Sequence, residues 1–193
     1  MINYPKVSVI IPSYNRFEFL LEAIESVKIQ KYPNFEIIVI NDGSTQKEYY
    51  KHSFPDYVKI INLQQNQKEI HGFGPGSIRN FGTNEANGDY LAFLDDDDIW
   101  LENKLNIQIS EMLKNDYLLS STEGYYGEGR YNAKKKYLLY NQEKYIDDYK
   151  YLYRKTNFIK NDSLPKIWNS EFTNIWNCFI TSSVIVEKNL FNK

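Results

Sequence analysis

The chain has 193 residues, 42% of them hydrophobic, and a formal net charge of −2. That length fits one domain with a sizeable core, and the charge balance gives nucleic acid or an anionic membrane no general electrostatic hold on it. A lone cysteine, Cys178, excludes an internal disulfide framework and any multi-cysteine metal site, and reads as a small buried apolar residue.

The first 115 residues alternate strand and helix signals. Val7-Ser8-Val9-Ile10-Ile11 is a β-branched run closed by Pro12, as in a buried parallel strand. Phe17, Leu20, Leu21, Ile24 and Val27 then fall at helical spacing, with Ser13 or Asn15 as candidate N-caps. Phe35 to Ile40 is a second strand running into Asn41-Asp42-Gly43-Ser44. A short helix is expected over Gln46 to His52, and a third strand over Val58 to Asn62. The stretch Gln64 to Gly76 is polar and reads as a loop. It precedes a helix that should turn Ile78, Phe81 and Ala86 inward. Tyr90 to Leu94 is a fourth strand, and Leu101, Leu105, Ile109 and Met112 mark another amphipathic helix.

Beyond Asp116 the pattern weakens. Gln142 to Tyr153 is expected to be helical, Phe179 to Val186 a late strand, and Glu187 to Phe191 the start of a helix. Lys134-Lys135-Lys136 reads as a solvated face. No apolar stretch approaches ~18 residues, and Met1-Ile2-Asn3-Tyr4-Pro5-Lys6 has no signal-peptide pattern. The chain is therefore expected in the cytoplasm or peripheral to a membrane.

Four consecutive aspartates, Asp95 to Asp98, end the fourth strand. Two like charges ~4 Å apart repel by about 4 kcal/mol at an effective dielectric near 20, so such a cluster calls for a cation or protons. Oxygen-only donors suit Mg²⁺ or Mn²⁺. In an extended chain Asp95 and Asp97 would share one side and Asp96 the other. A solvated acidic loop or a helix N-terminal run before Trp100 is the plainer alternative. The element order argues an α/β domain with a mostly parallel sheet, whose ligands bind outside the carboxyl ends of the strands. Three strands end in polar clusters: Pro12-Ser13-Tyr14-Asn15, Asp42-Gly43-Ser44 and the four aspartates.

With those residues in view, the chain resembles a family 2 glycosyltransferase. The likeness is carried by VSVIIPSYN (Val7 to Asn15), FEIIVINDGS (Phe35 to Ser44), SIRNFG (Ser77 to Gly82), NGDYLAFLDDDD (Asn87 to Asp98) and Trp100 to Leu105. The resemblance implies a GT-A, Rossmann-like α/β fold with helices on both faces of the sheet. It makes residues 1–115 the nucleotide-sugar half and 116–193 the acceptor-side part of the same domain.

By the same resemblance, Pro12, Ser13, Tyr14 and Asn15 shape the turn beside the nucleotide, Tyr14 lying near the base. Asp42 accepts the imino N–H of uracil, with Gly43 beside it, and Gly74-Pro75-Gly76-Ser77 supplies a loop near the donor. Arg79 contacts the nucleotide or diphosphate. Asp97, with Asp95, holds Mn²⁺ or Mg²⁺, while Asp95 or Asp96 holds ribose or sugar hydroxyls and Asp98 caps the following helix. The implied reaction is metal-dependent, inverting transfer from a nucleotide donor, a UDP-sugar favoured, to a carbohydrate, glycan or protein hydroxyl.

The family's general base lies past the strand resembling Phe179 to Val186, so it is expected beyond Lys193, in a protein longer than this chain. Glu171, Asp162 and Glu123 are the candidates within it. Trp168 and Trp176 fall in the acceptor-side part, as sugar platforms or as packing, and His71 is a surface residue or a phosphate contact. A sugar-1-phosphate nucleotidyltransferase and a non-catalytic nucleotide-sugar-binding module are the alternatives. The first is disfavoured because Pro12 to Asn15 is not a Gly-rich phosphate loop.

Overall fold

Val7, Val9 and Ile11 lie on one face of β1 (Val7–Ser13) and Ile10 on the other, and all four are fully buried. A strand apolar on both faces belongs in the middle of a sheet. In the computed structural model, which describes residues 4–72, 74–176 and 179–191, that is where it sits. Cys178 lies outside the described residues.

After β1 come α1 (Phe17–Lys28), β2 (Phe35–Asn41), α2 (Glu48–Lys51), β3 (Val58–Asn62), α3 (Gln67–His71), α4 (Pro75–Glu85), β4 (Tyr90–Phe93), α5 (Lys104–Asn115) and β5 (Leu119–Ser120). Next are β6 (Tyr125–Tyr126), β7 (Leu138–Leu139), a π-helical turn at Tyr140–Lys144, α6 (Ile146–Leu152) and α7 (Ser170–Thr173). A 3₁₀ turn at Thr181–Ser183 precedes β8 (Ile185–Glu187) and α8 (Lys188–Phe191). The contacts divide the chain into Met1–Ser121 with Thr181–Lys193, and Thr122–Ile180.

The first unit is a six-stranded sheet in the order β3-β2-β1-β4-β8-β5, parallel except for β8. Alternating residues feed two cores. Val9, Ile37, Val39, Ala92 and Leu94 pack under Leu20, Ile24 and Val27 of α1 and Leu105, Ile109 and Met112 of α5. Ile10, Ile38, Ile40, Leu91 and Phe93 pack under Ile78 of α4 and Ala86. This is the mostly parallel α/β sheet with helices on both faces that the sequence implies.

Several expectations change in detail. β1 runs through Pro12 to Ser13; the missing Pro12 N–H falls on the β4 side, just past the last pair there, Ile10 with Phe93. Phe81 is exposed, because Ile78 and Gly82, four apart, form the inner face of α4. A Cβ on Gly82 would meet Ile10 Cγ2 at 2.5 Å, so glycine sets how closely α4 approaches β1. The polar stretch after β3 contains α3. Asn66 caps it, accepting from the N–H groups of Lys68 and Glu69 at 3.1 Å each. Gly74 to Ser77 is the N-terminus of α4 rather than a loop, with Gly74 as N-cap and Pro75 in its first turn. α5 starts at Lys104, leaving Leu101 exposed before it. The late strand is only Ile185–Glu187, because Thr181–Ser183 turns, and it runs antiparallel to β4.

The second unit holds the β6–β7 hairpin and a cluster of Tyr149, Tyr153, Leu164 and Phe172 with Trp168 packed on it. Trp168 is thus packing, its Nε1 donating to the Pro165 carbonyl at 2.9 Å. Lys134, Lys135 and Lys136 are exposed, as is His71 at the end of α3. No described helix is long and apolar enough to cross a membrane.

Lys104 is the unusual cation of the first unit. Its Nζ donates to Gln108 Oε1 at 2.6 Å and the Ser183 carbonyl at 3.3 Å, and lies 4.2 Å from the centre of the Trp100 ring. Burial pushes its pKa down to about 7. The unfolded chain keeps this proton to about 10.5, so between about pH 7 and 10 the unfolded state binds more protons and stability should rise with pH. The limiting slope is about 1.4 kcal/mol per pH unit. Urea melts of Lys104→Gln at pH 7 to 9.5 are expected to show a flatter rise than wild type; parallel slopes would mean the ammonium is not desolvated.

Candidate functional site

Register assembles the site. Ser13 pairs with Asn41 across β1 and β2, and Ile10 with Phe93 across β1 and β4. Two residues past Leu94, whose N–H donates to the Ile10 carbonyl at 3.1 Å, the chain reaches Asp96 beside Ser13. The Asp42 N–H donates to the Ser13 carbonyl at 2.9 Å. The three polar strand ends therefore meet at one place, where the strand order reverses between β1 and β4, the usual ligand crevice of such sheets.

A hydrogen-bond relay holds the floor. Ser13 Oγ donates to Asp96 Oδ2 at 2.7 Å, so it accepts from the Tyr49 hydroxyl at 2.5 Å, which itself accepts the Arg16 N–H at 3.1 Å. Asp96 also accepts from the Tyr14 N–H and faces Arg16 Nη1 at 3.4 Å. It is buried, and burial pushes its pKa up against the opposing pull of Ser13 and Arg16. Asp96 is thus anchored within the fold, its carboxylate held by Ser13, Tyr14 and Arg16.

The four aspartates do not stay extended. The Asp98 N–H donates to the Asp95 carbonyl at 3.1 Å, closing a β-turn. Through the turn, Asp97 and Asp98 are exposed, Asp95 is half-buried and Asp96 buried, the side chains of Asp95 and Asp97 being 35% and 48% exposed. Arg16 Nη1 donates to Asp97 Oδ2 at 2.5 Å, and Arg79 Nη2 to Asp95 Oδ1. Burial would lower the Arg16 pKa, but Asp97 and Asp96 hold it above its usual value. Asp98 caps no helix; it accepts from Ser182, whose Oγ takes the Asp95 N–H at 3.0 Å. Although the residue is exposed, partial desolvation of its carboxylate and the charges of Asp95 and Asp97 raise its pKa.

Asp42 is buried. Its Oδ1 accepts the Gln67 N–H at 2.9 Å and its Oδ2 accepts from Asn66 Nδ2 at 3.0 Å, tying β2 to α3. Burial, then the charge of Glu69, raise its pKa, while the Gln67 N–H lowers it. Tyr14 is 36% exposed, its hydroxyl 3.4 Å from Glu69 Oε1. Asn15, in the left-handed region at φ 53°, caps no helix either. Its N–H donates to Ser44 Oγ at 2.9 Å and its Oδ1 accepts the Thr45 N–H at 2.8 Å, latching the loop after β1 to the loop after β2. Gln46 Oε1 instead accepts the Phe17 N–H at 3.0 Å at the start of α1.

Among the described residues no group of three or more His, Cys, Asp or Glu forms a ready metal cage. The donor chemistry nevertheless fits a hard divalent cation. Three carboxylates of the turn face two guanidinium groups, and the partly exposed Asp95 and Asp97 offer oxygens of the kind that Mg²⁺ or Mn²⁺ shares with phosphates and water. Arg79 Nε is buried and has no hydrogen-bond partner among the described residues, a vacancy that normally costs about 1–3 kcal/mol.

Arg16, Tyr49, Asn66 and Ser182 belong to the site without having been singled out in the sequence. Two signals were present. Arg16 follows the first polar cluster and opposes an acidic one, and Asn66-Gln67-Lys68-Glu69 has capping-box spacing. Tyr49 and Ser182 carry no local signal.

A family model described as Glycosyl transferase family 2 matches residues 8–176. The chain belongs to this family. A family relative from Rickettsia bellii, named an uncharacterized glycosyltransferase, is 43% identical over 122 residues, 61% of this chain and 16% of that protein. The Escherichia coli protein WfgD, named a UDP-Glc:α-D-GlcNAc-diphosphoundecaprenol β-1,3-glucosyltransferase, is 42% identical over 110 residues, 56% of this chain and 42% of its own length. Among solved structures, Staphylococcus aureus TarS in complex with UDP superposes with a TM-score of 0.50 at 28% identity, over 59% of this chain and 34% of that one. A further TarS structure gives 0.57 over 97% of this chain and 48% of its own, at 20% identity, a likeness of fold alone. The chain thus matches less than half the length of each of these proteins.

Proposed function

We propose that this chain is the donor-binding part of a glycosyltransferase that moves a sugar from a uridine diphosphate donor to a hydroxyl of a carbohydrate, glycan or protein, with inversion and with Mn²⁺ or Mg²⁺. The observation that carries the reading is the meeting of Tyr14, Asp42, Arg79 and the acidic turn from four chain segments around one crevice. The UDP in the TarS complex and the UDP-Glc in the WfgD name favour uridine among nucleotides.

In this reading Asp42, oriented by Asn66 and Gln67, accepts the uracil imino N–H, which cytosine lacks. Tyr14 offers its ring to the base, a contact worth about 1–3 kcal/mol. Arg79, whose Nε lacks a partner, turns donors toward the diphosphate and stabilises the charge that grows on its leaving oxygen. Asp97 and Asp95 would hold the cation, which when bound offsets the charge of the two phosphates. Breaking the anomeric C–O bond releases the nucleoside diphosphate as the acceptor oxygen bonds to the opposite face, and a carboxylate takes the acceptor proton.

Glu123 is poorly suited as that base. Its Oε1 accepts from Gly124 N–H and from both the N–H and Nδ2 of Asn141, and its Oε2 from Gln142 N–H, at 2.9 to 3.0 Å. Asp162 pairs with Lys150 at 3.1 Å and Glu171 sits in the exposed first turn of α7. A base beyond Lys193 in a longer protein stays part of the proposal.

Thermal melts with UDP, GDP, dTDP and CDP, with and without Mn²⁺, test this. UDP with Mn²⁺ is expected to stabilise most, by about 2.7 kcal/mol at a hundred times its Kd. Equal stabilisation by CDP, or no dependence on the cation, would overturn it.

A further inference from the structure

The second unit contains an open pocket of about 450 Å³ whose lining is mostly aromatic. Two of its rings are largely exposed, Tyr151 at 65% with the Arg154 guanidinium 4.1 Å over its ring, and Trp176 at 53%. Apolar surface left in water costs roughly 25 cal/mol per Å², and the unit's own cluster, built on Tyr149, Tyr153 and Phe172, has taken up other rings nearby. The charged side chain in the lining is Asp148; no lysine or arginine lines it. A nucleotide or another anion would therefore enter against a carboxylate, with Arg154 over the Tyr151 ring as a nearby cation and none in the lining to pair its phosphates.

The rim is open, but part of the wall is fixed. Asn141 is 1% exposed, its Oδ1 accepting from the Tyr149 hydroxyl at 2.6 Å and its Nδ2 donating to Glu123 Oε1 at 3.0 Å. Glu123 in turn takes the N–H groups of Asn141 and Gln142, both at 3.0 Å, so the π-helical turn is pinned from within. A preorganised wall lowers the ordering cost of whatever binds.

Exposed aromatic rings, one acceptor carboxylate and no cation within the lining itself suit a neutral polyol with one apolar side. The C–H edges of a pyranose carry slight positive charge and suit the negative face of an aromatic ring. Its hydroxyls can donate to Asp148, and the volume lies in the range of small-ligand sites. We propose that this pocket is a carbohydrate subsite that holds one or two neutral pyranose rings of a glycan. It lies wholly within Thr122–Ile180 and needs neither nucleotide nor metal, so it stands apart from the donor reading.

The test uses the full chain and a panel of methyl β-glucoside, cellobiose, maltose and N,N′-diacetylchitobiose, followed by saturation-transfer NMR and tryptophan fluorescence. At least one sugar is expected to give a saturable signal. Trp176→Ala should weaken it at least tenfold, Tyr151→Ala several-fold and Asp148→Asn several-fold, while the melt response to UDP with Mn²⁺ stays as in wild type. These side chains are exposed, so the variants should fold, and circular dichroism checks this. The proposal fails if no sugar on the panel saturates, if the signal ignores Trp176 and Tyr151, or if tetramethylammonium binds in their place through Asp148. Loss of the UDP response with sugar binding intact would strike the donor reading alone.

Discussion

Replacing Asp97 with asparagine is expected to weaken Mn²⁺-dependent UDP binding by about 100-fold while leaving the melting temperature almost unchanged. The two halves of that expectation have separate causes. Losing even an outer-shell partner of a metal typically costs about 10–100-fold in affinity, so removing a direct oxygen ligand should cost no less. The fold, by contrast, gains little from Asp97, because its ion pair with Arg16 joins side chains 48% and 52% exposed. Exposed pairs contribute about 0–1 kcal/mol. Asp96→Asn should behave the other way. That carboxylate is buried in the Ser13 relay, and its loss should lower the melting temperature before it touches ligand affinity. Calorimetry with UDP, with and without Mn²⁺, alongside melts of both variants separates these outcomes. Unaltered UDP affinity in Asp97→Asn with Mn²⁺ present would remove the acidic turn from the donor site.

Gly43→Ala should destabilise the protein by about 2–5 kcal/mol. Gly43 has φ +71°, a left-handed conformation that costs a side chain-bearing residue roughly 1–2 kcal/mol. Its added Cβ would also lie 2.5 Å from the Gln65 carbonyl carbon and 2.6 Å from Asn66 N. These are backbone atoms that cannot swing aside, and overpacking of this kind costs about 1–3 kcal/mol. The displaced segment is the one that orients Asp42 through Asn66 and Gln67, so UDP affinity should fall with stability. Gly76→Ala is the control: nothing lies within 4 Å of a Cβ there, and α4 should tolerate it or gain up to ~1 kcal/mol. A Gly43→Ala protein melting within a degree or two of wild type would contradict the argument.

The parallel half of the sheet was legible because buried parallel strands are written as β-branched runs, such as Val7 to Ile11 and Phe35 to Ile40. Once those strands are parallel, their polar ends must meet, so the position of the candidate site came with them. The contacts inside the site were less legible. Which acid is buried depends on the β-turn at Asp95 to Asp98 and on the register that sets Asp96 beside Ser13, and neither is a local property. The polarity of β8 was hidden for the same reason: an apolar run has no written direction, and Thr181–Ser183 shortens it by turning back to hold Asp95, Asp98 and Trp100. Phe81 misled because an aromatic at helical spacing looks like core, while the neighbouring Gly82 was the residue small enough to sit on Ile10. Beyond Asp116 the aromatic residues pack on one another, as Tyr149, Tyr153 and Phe172 do, without a steady period to announce it.

The pairing of β5 with β8 places Leu119 opposite Val186 and Ser120 opposite Ile185. The chain therefore departs from the sheet and rejoins it on adjacent strands, about 5 Å apart. To the sheet, everything from Thr122 to Ile180 is one long hairpin connection, and doubling the length of such a connection costs only about 0.6 kcal/mol of closure entropy. A cassette tethered in this way can be traded for another of different size without re-registering a strand. Chimeras between relatives are best spliced at Ser121 and Thr181, which leaves the strand ends around Ser13, Asp42 and Asp96 as they are.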